Sequence, residues 1–269
     1  MPDKEDFNSF FIYIHDVIIE AGELLLDSFH KKRTVRNKGE IDLVTDADLL
    51  CENYIINKIK EKYPNHSILS EEEGSICNSR EYLWILDPLD GTTNYSRKLP
   101  FFCISLAFSY KNNIKFGIVY SPTLNYLFYA KKNQGAYLNK KKIKVSKTSD
   151  LMKSFLVTGF PYDIRTTLND NIDIFTAFLK NSLAIRRLGS AALDLCFVAA
   201  GIFDCYWELK LNIWDFAAGG LILEEAGGKF TDINGYKIDF SKNISSSIVG
   251  SNTIIHDNII KIIQEYKKE

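Results

Sequence analysis

Residues Trp84–Tyr95 read WILDPLDGTTNY. An apolar run leads into two aspartates three apart, Asp87 and Asp90, and then into a glycine, two threonines and an asparagine. YLWIL (82–86) is short and almost wholly apolar, which predicts a buried strand rather than a helix. A strand ending in two carboxylates poses a problem, because an unpaired buried carboxylate is costly. Asp-Pro and Asp-Gly favour turns, so DPLDG could be a turn and nothing more. Gly91, however, lets the backbone approach an anion closely. A helix starting near Thr92 would point free N–H groups at a phosphate.

Upstream of this stretch, Phe7, Phe10, Phe11, Ile14, Val17, Ile18, Ala21, Leu24 and Leu25 recur at three-to-four spacing and predict an amphipathic helix over 7–30. A loop and a second helix follow, with Thr45 and Asp48 placed like a capping box and Pro64 ending the helix. Downstream, FFCISLAFSY, IKFGIVYS and YLFYAKK are β-rich runs separated by short polar breaks, an antiparallel meander. Lys140–Lys142 reads as a solvated turn. GSAALDLCFVAAGIFDCYWE predicts a helix to Ala200, stopped by Gly201, and then a strand. WDFAAGGLILEEAGGKFTD repeats that plan. SSIVGSN is a strand, and 254–267 a closing helix. The expectation is one α+β domain over 1–269 whose helices and sheets pack as layers. Its sub-halves are about 1–148, with an antiparallel sheet and helices, and 149–269, mixed α/β.

The 269 residues are 46% apolar, enough for a sizeable core, and carry a formal net charge of -1. That balance gives no electrostatic case for nucleic acid or an anionic membrane as the main partner. The five cysteines are scattered and odd in number, without a C-x-x-C pair, which argues against a disulfide framework and a thiolate zinc site. With no secretion signal in MPDKEDFNSF and no run long enough to span a bilayer, a cytoplasmic setting is expected.

Three acidic clusters stand out: Glu71–Glu73, Asp87 with Asp90, and Asp215 at the start of a helix. Each has a plain alternative. A glutamate run is commonly a solvated face, and Asp215 could serve only the helix N-terminus. Together, with no cysteine or histidine beside them, they suit an all-oxygen site for hard cations, Mg²⁺ or Mn²⁺. Two such ions about 3.5–4 Å apart could clamp a phosphate and activate water. The four histidines form no nucleophile arrangement, and His66 reads as a packing residue.

SEEEG, WILDPLDGTTNY and WDFAAGGLILEEAGG stand in the order and spacing of the inositol monophosphatase family, metal-dependent and lithium-sensitive sugar-phosphate phosphatases. GEIDLVTDAD, LPFFCISLAF, TGFPYD, RRLGSAALDLC and DCYWE also resemble family segments, so the likeness covers most of the chain. It looks closest to the bacterial branch. The resemblance implies a five-layer αβαβα sandwich, two or three Mg²⁺ ions with Mn²⁺ as a substitute, and a homodimer acting on a small phosphate monoester. Glu71 would ligate the first metal and orient the attacking water. Asp87 would bridge two metals, with the Leu89 carbonyl completing the first site. Asp90 and Asp215 would hold the second. Thr92 would bond the nucleophilic water, with Asp48 behind it. Asp90 and the N–H groups of Gly91 and Thr92 would lie at the phosphate, and Gly189, Ser190, Ala191 and Glu208 at the polyol. Asp42 would belong to the loop over a third metal. Ser70 and a third glutamate depart from the family pattern, so Glu72 and Glu73 stand as alternative ligands. Inositol monophosphate is the implied substrate, with fructose 1,6-bisphosphate as the rival and a non-catalytic protein-binding role as a different class. Arg186 or Arg187 could meet a second phosphate, or could simply form ion pairs on a helix surface.

Overall fold

A computed structural model describes residues 7–30, 35–37, 43–79, 81–240 and 244–267. Helix α1 (Phe7–Phe29) opens the chain and buries Phe11, Ile14, Val17, Ile18, Ala21 and Leu25, the face its periodicity predicts. A small antiparallel pair, β1 (Val35–Asn37) and β2 (Leu43–Thr45), precedes α2 (Asp46–Lys62). Thr45 directly precedes α2 as the capping reading requires, but its side chain lies outside the described residues. So do Asp42 and its loop.

The strands β3 (Ser67–Ser70), β4 (Gly74–Ile76), β5 (Tyr82–Asp90), β6 (Cys103–Tyr110), β7 (Asn113–Ser121), β8 (Tyr126–Lys131), β9 (Ala136–Leu138) and β10 (Lys141–Lys142) form one sheet in the order β10-β9-β8-β7-β6-β5-β3-β4. It is antiparallel except for β3 beside β5. Helix α3 (Thr92–Ser96) follows β5. The second sheet holds β11 (Phe155–Thr158), β12 (Ala184–Arg186), β13 (Cys205–Asn212), β14 (Gly228–Asp232) and β15 (Ser245–Asn252) in the order β12-β11-β13-β15-β14. It is mixed, with β11 parallel to both neighbours and β15 antiparallel to both of its own. The remaining helices are α4 (Ile172–Asn181), α5 (Ala191–Ala199), α6 (Ile213–Glu225) and α7 (His256–Tyr266).

Five layers result. Helices α1 and α2 cover one face of the eight-stranded sheet, burying Trp84, Leu86, Phe108 and Phe116. Helices α5 and α6 fill the space between the sheets, against Ile85, Ala107 and Val119 on one side and Tyr206 and Ile248 on the other. The outer face of the second sheet packs Leu156, Trp207 and Val249 under α4 and α7. Alternation along β5 explains the division, because Trp84 and Leu86 face one layer and Ile85 the other. Fully burying each such side chain contributes about 1.5–3 kcal/mol. Among the described residues, no helix is long and apolar enough to cross a membrane. His66 is a packing residue as expected: it stacks between Tyr63 and Tyr82 and accepts the Trp84 indole N–H at 3.1 Å.

Candidate active site

Strand β5 delivers two carboxylates to one place by a local irregularity. Residues 87 and 90 are an odd number apart, so in a regular strand they would face opposite sides of the sheet. Here Asp87 pairs with Ser105 and Asp90 with Cys103, so Pro88 and Leu89 of β5 stand against the single residue Ile104 of β6. This β-bulge at Pro88–Leu89 turns both acids into one cleft. The Asp87 carboxylate accepts the Leu89 N–H at 3.0 Å, and the Thr92 hydroxyl donates to the Leu89 carbonyl at 3.0 Å. Gly91 then adopts φ 96°, and a Cβ there would stand 3.0 Å from the Phe101 carbonyl oxygen. Only glycine takes that corner without strain.

The cleft, of about 240 Å³, lies where the two halves meet and is lined by Glu71, Asp87, Asp90, Glu208 and Asp215 with Leu89, Gly91 and Thr92. Glu71 is the one member of the glutamate run in its wall. The N–H groups of Glu72 and Glu73 instead donate to the buried Glu52 carboxylate, each at 3.1 Å, and the Ser70 hydroxyl also bonds to Glu52. Sequence reasoning missed Glu52. The available signal was its place on α2, one turn after Asp48 on a face otherwise filled by Cys51, Ile55 and Ile59. Asp48 is buried and does not line the cleft. It lies close enough for its charge to act on Asp87.

From the C-terminal half, Asp215 enters on the first turn of α6 and accepts the Asn212 N–H at 2.7 Å. It therefore serves the helix start and the cleft together, so the plain reading of this residue is also true. Gly189, Ser190 and Ala191 line the cleft, and Ser190 and Ala191, with Ala192 after them, bond to Asp90. The Ser190 hydroxyl donates to its carboxylate at 2.6 Å, the Ala192 N–H at 2.8 Å and the Ala191 N–H at 3.3 Å. Asp90 thus caps α5 across the seam. Asn94 ties the same seam, donating to the carbonyls of Phe101 and Leu188 at 2.8 and 2.7 Å.

Burial, and then the neighbouring charge of Glu71, pushes the Asp87 carboxyl well above the usual range. Asp215 rises for the same first reason, then through Asp90 and Glu71. Asp90 is raised by burial, although the Ser190, Ala192 and Ala191 hydrogen bonds oppose it. Glu208 is pushed up to about 7, chiefly by burial, while the hydrogen bond from the Tyr206 hydroxyl pulls it down.

Arg187 is the only cation in the wall among the described residues, and its guanidinium lies over the Phe160 ring at 5.4 Å. The helix-surface reading of Arg186 and Arg187 is corrected: Arg186 ends an edge strand and stacks over Phe155, and Arg187 follows it. An aromatic face meets each guanidinium, and the Arg187 charge also acts on the Glu208 carboxylate. Among the described residues, no group of three or more His, Cys, Asp or Glu side chains is gathered tightly enough to hold a metal ion ready-made. The acids share the cleft wall without closing into a cage, as mutually repelling anions do.

Comparison with known proteins matches residues 8–268 to the inositol monophosphatase family. Inositol monophosphatase 3 of Solanum lycopersicum is 36% identical over 261 residues, 93% of this chain and 96% of that protein. The Nus factor SuhB of Pseudomonas aeruginosa is 38% identical over 255 residues, 91% and 92% of the two chains. The solved inositol monophosphatase of Anabaena superposes with a TM-score of 0.88 at 37% identity, covering 97% of both chains.

Proposed function

The chain belongs to the inositol monophosphatase family of phosphoric monoester hydrolases, and from that premise we propose that it hydrolyses a small polyol phosphate, inositol monophosphate first, with bound divalent cations. The observation that carries this reading is electrostatic. Five carboxylates and one guanidinium line the cleft, a wall that a phosphate dianion could not approach without intervening cations. The donor set is all oxygen, which fits Mg²⁺, with Mn²⁺ as the substitute. Glu71, Asp87, the Leu89 carbonyl, Asp90 and Asp215 would hold two ions. Asp42 belongs to the same proposal for a third.

Bound there, the cations would neutralise the phosphate oxygens, lower the pKa of water and stabilise the leaving alkoxide. The chain's own residues do the rest. The one hydrogen of the Thr92 hydroxyl goes to Leu89, leaving its lone pairs to accept a bond from the attacking water. Asp48 supports this corner from behind. The N–H groups of Gly91 and Thr92, beside Asp90, hold the phosphate. Glu208 accepts hydrogen bonds from ring hydroxyls when ionised, above the wall made by Gly189, Ser190 and Ala191. Inhibition by lithium, homodimerisation and a cytoplasmic setting form part of this proposal.

Arg187 favours a second reading, in which a second phosphate is accepted as in fructose 1,6-bisphosphate. The name Nus factor, carried by the Pseudomonas relative, supports a protein-binding role alongside catalysis. Phosphate release from inositol 1-phosphate, fructose 1,6-bisphosphate, 3'-phosphoadenosine 5'-phosphate and glycerol 2-phosphate, with Mg²⁺ and with or without Li⁺, tests the proposal. Inositol 1-phosphate should be the best substrate. Turnover that survives EDTA would overturn the mechanism, and hydrolysis of the nucleotide alone would overturn the substrate.

A further inference from the structure

Strand β13 carries a non-glycine residue where glycine would sit freely. Glu208 pairs with Ile248 and Leu211 with Ser246, so Leu209 and Lys210 of β13 stand against the single residue Ser247 of β15. The extra residue falls at Leu209–Lys210, and Lys210 adopts φ 59°. Left-handed backbone strains a residue with a Cβ, and strain held in a bulge beside a cleft persists where the surrounding structure uses the side chain.

The side chain spans to another element. The Lys210 ammonium donates to the Asp163 carboxylate at 2.7 Å and to the Thr167 hydroxyl at 2.7 Å. Asp163 and Thr167 belong to one turn, because the Thr167 N–H donates to the Asp163 carbonyl at 3.0 Å. That turn is the tip of the 159–171 loop, which supplies Gly159, Phe160 and Tyr162 to the cleft wall. The base of the loop is tied separately. Asn171 donates to the Gly159 carbonyl at 2.7 Å and accepts the Trp207 indole N–H at 2.7 Å. Among the described residues, the two bonds from Lys210 are the only hydrogen bonds joining residues 161–169 to β13 or any other element of the fold. The same bulge carries Glu208, whose carboxylate lies so close over Gly159 that a Cβ there would collide with it.

We propose that Lys210 is a positioning residue for the leaving-group side of the cleft. Through Asp163 and Thr167 it holds Phe160 and Tyr162 beside Glu208, where the alcohol portion of the substrate lies. The inference rests on the phosphatase reading above. It predicts a dependence on leaving-group size: a ring polyol feels the loop, whereas a three-carbon alcohol barely reaches it.

The test is steady-state kinetics with Mg²⁺ on inositol 1-phosphate and glycerol 2-phosphate for the full chain and three variants. Lys210→Met removes the ammonium and keeps the strain. Lys210→Gly removes both, and Lys210→Arg keeps the charge. The partly exposed latch sets the scale, about a three- to fivefold rise in KM for inositol 1-phosphate in the Met and Gly variants. Their kcat should stay within about twofold, glycerol 2-phosphate should respond less, and Arg should restore most of the loss. Lys210→Gly should melt no lower than wild type, which separates lost positioning from lost folding. An unchanged KM in a stable Gly variant, or an equal effect on both esters, overturns the proposal. Should wild type release no phosphate from either ester, the phosphatase reading fails while the latch is still judged by amide exchange of residues 162–168. Faster exchange in Lys210→Met supports the latch, and identical exchange sinks it.

Discussion

Two strand-to-helix corners face each other across the cleft, and they reach the same end differently. β5 runs into α3 and β13 into α6, and each strand carries one extra residue just before its helix. In the first corner the bulge is buried, glycine takes the left-handed position, and Asp90 is tied into the other half through Ser190 and Ala192. In the second the bulge joins a buried Leu209 to an exposed Lys210, the lysine takes the left-handed position, and its ties run to a surface loop. The first corner fixes where the phosphate chemistry sits, and the second shapes what surrounds the leaving alcohol. Rigidity is concentrated where geometry must be held within tenths of an ångström, and adaptability where substrates differ.

The largest expected effect breaks the first corner. Asp90→Asn keeps one acceptor for the α5 N-terminus but removes a charge. Turnover on inositol 1-phosphate should fall by ~10²–10³ or more, the scale for losing one preorganised electrostatic group, while circular dichroism shows the fold intact. Turnover within tenfold of wild type would remove Asp90 from the mechanism. A second experiment asks whether the two corners build one site. Mg²⁺ at about one hundred times its Kd should stabilise wild type by ~2.7 kcal/mol, seen as a rise in Tm. Asp90→Asn and Asp215→Asn should each lose most of that rise. If Asp215→Asn keeps it in full, the corners do not share cations. Gly91→Ala comes next. A Cβ at φ 96°, 3.0 Å from the Phe101 carbonyl oxygen, should cost about 1–3 kcal/mol in denaturant unfolding. The value for Lys210→Gly should carry the opposite sign, since there the Cβ is removed.

Much of this was legible from the chain alone, and the failures have a common cause. The apolar spacing of α1, the buried run of β5 and the Gly201 stop are local signals, and the fold follows them. The acids could be named because carboxylates at the end of an apolar strand conflict with burial, and such conflict marks a site. Both bulges escaped notice, because a bulge is settled by the partner strand's register. Glu52 was hidden for the same reason: its carboxylate is explained by the N–H groups of a turn about twenty residues away. The bonds of Ser190 and Ala191 to Asp90 likewise join positions a hundred residues apart. The sequence leaves Arg187 between a partner for a second phosphate and a helix-surface residue, since nothing in RRLGS shows that Phe160 comes to lie under it.

The smallest expected effect sharpens the second corner through Glu208. Its carboxyl titrates near 7 instead of the ordinary 4.5, mainly because burial disfavours the ionised form. A carboxyl whose folded pKa lies above its unfolded one binds its proton more tightly in the native state. Stability is therefore complete below about pH 4.5 and is lost as pH rises from there to about 7. Glu208→Gln has no proton to release, so metal-free wild type should lose stability relative to the variant across that window and nowhere else. The half-buried carboxyl is partly screened, which puts the difference on the order of 1 kcal/mol. Urea unfolding in EDTA at about pH 4 and about pH 8 measures it. Parallel stability curves for the two proteins would mean that Glu208 is solvated like a surface acid and that the loop latched by Lys210 does not close over it. A gap opening between pH 4.5 and 7, and shrinking in Lys210→Met as water reaches the carboxylate, would tie the loop and the acid into one substrate-facing unit.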